Sequence, residues 1–155
     1  MEKNNEVFNV GSLYKYWALS FDLKITELHE GIFNIIRVGD IAGSRHPAIY
    51  LKNKSSALEM RTVIDGAEHS FNSAPIPLDT WTTIQIGQLS KDDVYDFVVF
   101  IDEIEVHRVR HNDPQEYINA NIRIYASDDL VTAGHARIRN LDHQTYQESK
   151  FQMTL

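Results

Sequence analysis

The sequence predicts an all-β protein, an antiparallel β-sandwich of two sheets, on three observations. Apolar residues recur with a period of two along most of the chain, no segment carries a sustained helical stripe, and short turn signals separate the apolar runs. Roughly ten strands of ordinary length, joined by short turns, make two packed antiparallel sheets the expected architecture.

The first clear strand is YWALSFDLKI, where Trp17, Leu19, Phe21, Leu23 and Ile25 alternate with Ala18, Ser20, Asp22 and Lys24. GIFNIIRVGD is a β-branched run that ends on Gly39-Asp40. The loop that follows, through Gly43-Ser44, Arg45 and His46 to Pro47, leads into PAIYLK. There Ile49 and Leu51 point one way, and Ala48, Tyr50 and Lys52 the other. In ALEMRTVIDGAEHSF, Leu58, Met60 and Ile64 face away from Glu59 and Arg61, and Asp65-Gly66 is a strong hairpin-turn signal.

APIPLDTW carries two prolines and reads as a crossover between the sheets. TWTTIQIGQ resumes a strand through Ile84 and Ile86; Trp81 is out of step, so a bulge or a strand start after it is expected. VYDFVVFID is apolar on both faces, as in a strand covered on both sides. EIEVHRVR, ANIRIYAS and HARIRNLDH supply the last strands.

The 155 residues fit a single domain, residues 1–155, with no repeats, low-complexity tracts or linkers. A net charge of −7 and the lack of any basic run argue against nucleic acid as a partner. No apolar stretch approaches the ~20 residues a membrane span needs, so no membrane insertion is expected. With no cysteine there is no disulfide framework, thiolate metal site or thiol nucleophile. MEKNNEVFNV has no signal-peptide pattern, and the compartment stays open between cytosolic and extracellular.

Catalytic signatures are sparse. His107 and His111 in HRVRH would share a face only on a helix. On a strand their Cα atoms lie ~13 Å apart at about 3.3 Å per residue, so the expectation is surface histidines. EIEVH places Glu103 and Glu105 on one strand, an echo of a glucanase acid pattern. The place of a second catalytic carboxyl is taken by His107. No nucleophile elbow or phosphate-binding glycine loop is present, so no catalytic residue is assigned.

The order of these signals is informative as a set. W-A-L-S-F-D-L-K-I, then GD with R-x-P-A-I, FNSAPIPLDTWTTIQIGQ, FVVFIDEIEV, NDPQEYINANIRIYASDD and ARIRNL resembles laminin-G-like modules of the concanavalin A-like lectin/glucanase superfamily. The likeness runs from about Val7 to Leu141. It implies a jelly roll of two curved sheets with a concave outer face, a fold whose members mostly bind sugars or proteins. Such modules often carry Asp-Gly or Asn-Gly where this chain has Asp102-Glu103. A two-residue turn would force positive φ on Glu103, so a longer or shifted loop is expected there.

A weaker likeness is to galectins, whose H-x-N-P-R signature is only loosely echoed by SRHPAIY. It implies where a site would lie, and it puts galactose-type sugars among the candidate glycans. The resemblance therefore implies a non-enzymatic, lectin-like domain. A protein-interaction module is the alternative, and a glycan hydrolase ranks last.

Strand parity draws the candidate site: Tyr50, Glu59, Arg61 and Asn72 share an outer face, with Glu68 and Ser70 beside them. Asp40, Arg45 and His46 stand on the neighbouring loop, where Arg45 could either bind ligand or pair with Asp40. Sugar hydroxyls need convergent donors and acceptors, and a sugar's C–H face packs on an aromatic ring. No cofactor is required by this reading. Calcium is frequent in the resembled family, and Asp40, Asp113 and Asp128-Asp129 are loop acids able to ligate it, yet no loop has the acid density to assign it. A homo-oligomer is expected, because a shallow sugar site gains avidity from repetition and sheet edges can pair.

Overall fold

The computed structural model describes residues 5–40, 45–126, 132–133 and 136–146, and these form twelve strands. They are β1 (Asn5–Leu13), β2 (Tyr16–Ile25), β3 (Phe33–Gly39), β4 (Ala48–Leu51), β5 (Ala57–Ile64), β6 (Ala67–Pro75), β7 (Thr82–Lys91), β8 (Val94–Ile101), β9 (Ile104–His111), β10 (Tyr117–Ala126), β11 (Thr132–Ala133) and β12 (Ala136–Tyr146). One sheet runs β1-β10-β3-β4-β5-β6, with β11 pairing parallel to β3. The other runs β12-β2-β7-β8-β9.

The core lies between these two sheets because the period-two sets face each other. In β2 the residues Trp17, Leu19, Phe21, Leu23 and Ile25 are all buried. Phe21 pairs with Ile84 and Leu19 with Ile86 on β7, and Leu58 and Met60 join the same buried core from the other sheet. Each such side chain contributes roughly 1.5–3 kcal/mol on burial. β7 begins just after Trp81, which explains why that residue is out of step. β8 is buried on both faces from Phe97 to Phe100, with Arg108 of β9 paired across from Val98 on its outer side. The two-proline segment is the crossover from β6 to β7, from one sheet to the other.

Asp65-Gly66 closes β5 onto β6 in a two-residue turn, with φ of 49° and 77° and Ile64 opposite Ala67. The expected longer loop at Asp102-Glu103 is not found. Ile101 pairs directly with Ile104, so this too is a two-residue turn, with φ of 48° and 67°. Asp102 makes the strained conformation tenable. Its carboxylate accepts from the Thr83 backbone N–H at 2.8 Å, and its own N–H donates to the Thr83 carbonyl at 2.9 Å. Those two bonds tie the turn to the neighbouring strand, offsetting the left-handed cost of about 1–2 kcal/mol per residue.

Candidate functional site

The outer face of the larger sheet is built by strand pairing. Asn34 on β3 stands opposite Tyr50 on β4, Tyr50 opposite Glu59 on β5, and Glu59 opposite Asn72 on β6. The adjacent row runs Glu6, Tyr125, Arg37, Ala48, Arg61 and Ser70, one residue from each of six strands. Tyr50, Glu59, Arg61 and Asn72, the parity-derived set, thus lie together on this face.

Their environments differ sharply. Tyr50 is only 1% exposed, although it points away from the core. The Arg61 guanidinium lies 5.0 Å from its ring centroid and that of Arg45 5.8 Å. Tyr50 is therefore a support under two cations and does not present an open aromatic plane. The Arg61 Nε donates to Glu59 at 2.8 Å, and this bond, with the nearby charge, raises the arginine's pKa further. The Arg45 Nε is buried with no hydrogen-bond partner among the described residues. Arg45, Arg61, Thr62, Val63 and Glu68 line a cavity of about 190 Å³.

Two loop residues behave differently. His46 turns to the end of the sandwich and packs on Tyr117 at 4.3 Å between centroids, where burial lowers its pKa. Asp40 accepts from the Arg37 guanidinium through its backbone carbonyl, at 2.9 Å. The turn at Gly43-Ser44 and the acids Asp128 and Asp129 lie outside the described residues. Among the described residues no group of three or more histidines, aspartates or glutamates could hold a metal ion.

Asn34, Arg37 and Tyr125 also lie on this face and are not marked by parity. Asn34 is fully buried, and neither end of its amide has a hydrogen-bond partner among the described residues. Arg37 is also buried and stacks its guanidinium 4.3 Å from the Tyr125 centroid. Asn34 and Arg37 are three apart, which on a regular strand puts them on opposite faces. A register shift between Asn34 and Ile36 returns them to one face, and only the pairing reveals it.

Elsewhere the expectation of surface histidines fails at His111, which is buried and hydrogen-bonded through Nδ1 to Gln88 Oε1 at 2.6 Å. The smaller sheet's exposed carboxylates are mostly tied up. Glu105 receives both Nε and an Nη of Arg108, at 2.9 and 2.6 Å, and its pKa is lowered, first by that bonding. Asp96 accepts from Arg108 and Arg110 at 2.8 and 2.9 Å.

The chain superposes on solved structures through this architecture. A heptameric SAP-like pentraxin from Limulus polyphemus matches with a TM-score of 0.63 over 89% of this chain and 67% of that one. The shared fold is a two-sheet antiparallel jelly roll. Sheep galectin-11, solved with glycerol, shares the jelly roll at a TM-score of 0.57, covering 92% of this chain and all of the galectin. The carbohydrate-binding module CBM66 from Bacillus subtilis does so at 0.56, over 88% and 78%. Identities of 7%, 13% and 13% make the likeness one of fold. No protein-family model and no curated protein matches by sequence.

Proposed function

We propose that this chain is a non-enzymatic carbohydrate-binding module that reads glycans on the outer face of the β3–β6 strands. The observation that carries the proposal is the pairing of Arg45 and Arg61 over the buried Tyr50, at the rim of the small cavity they share with Glu68. Two guanidinium forks offer several donors in fixed planes, and Glu59, Glu68 and Asn72 supply acceptors within one or two strand positions. A cavity of about 190 Å³ is smaller than the roughly 300 Å³ at which drug-sized pockets begin, as suits a shallow sugar subsite. The likeness to a carbohydrate-binding module, and to a galectin, supports the same reading.

Hydrolysis is disfavoured by the carboxylates themselves. A general acid needs its pKa raised, whereas Glu105 is held low by Arg108 and Glu59 is paired to Arg61.

A glycan array tests the proposal. Saturable binding to a defined set of sugars is expected, galactose-type among the candidates, and it should be lost in Arg45→Ala and Arg61→Ala. Lys91→Ala, at the far β7–β8 turn, should leave it intact. A silent array, or binding indifferent to both arginines, overturns the proposal; silence from a folded protein would favour a protein-interaction module.

A further inference from the structure

β6 and β9 are edge strands of different sheets, and no ladder joins them. Two histidines reach across the gap between them. His69 Nε2 lies 2.9 Å from His107 Nε2, with ring centroids 5.1 Å apart and planes within 20°. Phe71 stacks on the His107 ring at 4.4 Å and 15°, and Phe97 meets it edge-on at 6.5 Å. Both histidines are half-buried. His69 pairs with Thr62, so it points inward from β6, away from the face that carries Arg61 and Ser70.

We propose that His69 and His107 form a binding site for a divalent transition-metal ion of the imidazole-preferring kind (copper, nickel or zinc), which clips the two sheets together at this open side.

Two facing imidazole nitrogens satisfy each other only when one is a donor and the other an acceptor. With both protonated, two N–H groups and two charges would meet head-on. Neutral imidazole is the form that ligates metals.

Metal–imidazole bonds of about 2.0–2.1 Å put two nitrogens roughly 2.9 Å apart at a right angle and roughly 3.3–3.4 Å apart at a tetrahedral one. With Nε2 atoms 2.9 Å and ring centroids 5.1 Å apart the rings face each other nearly end to end, so an ion of any of these three metals requires both rings to turn until their nitrogens converge on it. No third histidine or acid joins the pair among the described residues, so further positions fall to water. Calcium and magnesium prefer oxygen ligands, so two imidazoles do not favour them.

The two ligands stand 38 residues apart and meet only when both sheets are formed. Metal binding is therefore coupled to folding.

Thermal unfolding of the full chain, read by circular dichroism with and without added ion, tests this. Nickel and zinc should raise the midpoint by roughly 5–10 °C at a hundredfold excess over the dissociation constant, and calcium should not. His69→Gln and His107→Gln should each abolish the metal-induced rise, while His29→Gln and His143→Gln retain it. No rise with either transition metal, or a rise that survives in both pair variants, overturns the proposal. Should a variant fold poorly, imidazole nitrogen resonances of the unaltered protein decide. Those of His69 and His107 should shift together at the lowest nickel or zinc additions, and no response from them refutes the site.

Discussion

Arg61 carries two loads: its Nε holds Glu59, and its guanidinium covers Tyr50. Both groups of the ion pair remain partly exposed, at 28% and 16%, so the pair contributes about 0.2–1 kcal/mol to stability, and the cation–π contact about as much. A charge-assisted hydrogen bond to a ligand contributes roughly 1.5–3 kcal/mol. Arg61→Ala should therefore weaken glycan binding about tenfold or more, by calorimetry, while unfolding free energy falls by only about 1–2 kcal/mol. Unfolding with unchanged affinity per folded molecule would contradict this. His143 gives a second prediction at this scale. Burial pushes its pKa down to about 4, while an unfolded histidine titrates near 6.5. Between these values the unfolded chain binds the extra proton. The stabilisation is thus complete above about pH 6.5 and lost as pH falls towards 4, on the order of 3 kcal/mol from this residue. His46, His107 and His111 are shifted the same way, each chiefly by burial. Urea titrations at pH 7, 5.5 and 4.5 should show that fall, and His143→Gln should flatten it.

Among the elements, the β2 and β7 backbones approach closely at Gly87. A Cβ built on Gly87 would stand 2.9 Å from the Trp17 carbonyl oxygen, which is backbone and has no rotamer to yield. Gly87→Ala should cost about 1–3 kcal/mol, measured as a shift of the urea midpoint with the slope unchanged. What the sequence makes legible follows from the same strand geometry. Alternation alone places Tyr50, Glu59, Arg61 and Asn72 on one face, because β4, β5 and β6 run in regular register there, apart from a shift between Ala57 and Glu59. It fails on β3, where a bulge brings Asn34 and Arg37 to the same side. It also misses how deeply Tyr50 is covered, since the covering arginines come from a loop and a neighbouring strand. The His69–His107 contact joins strands of different sheets, and no local pattern marks it. The short turn at Glu103 escapes for a related reason: its support comes from Thr83, nineteen residues away.

Among the described residues β1, β6, β9 and β12 are the sheet edges. Open edges can pair between copies, and a single shallow subsite gains avidity by repetition. Light scattering should therefore report a dimer or larger assembly at working concentration, and a monomer would contradict this. The proposed sugar site on the outer face of the larger sheet is tested by a titration of nitrogen-labelled protein with the strongest ligand found on the array, followed by backbone amide shifts. The largest shifts should cluster at Tyr50, Glu59, Arg61, Glu68 and Asn72, together with Arg45. Shifts centred instead on β7–β9 of the smaller sheet, or on the groove lined by Trp81, Ile138 and Arg139, would contradict it.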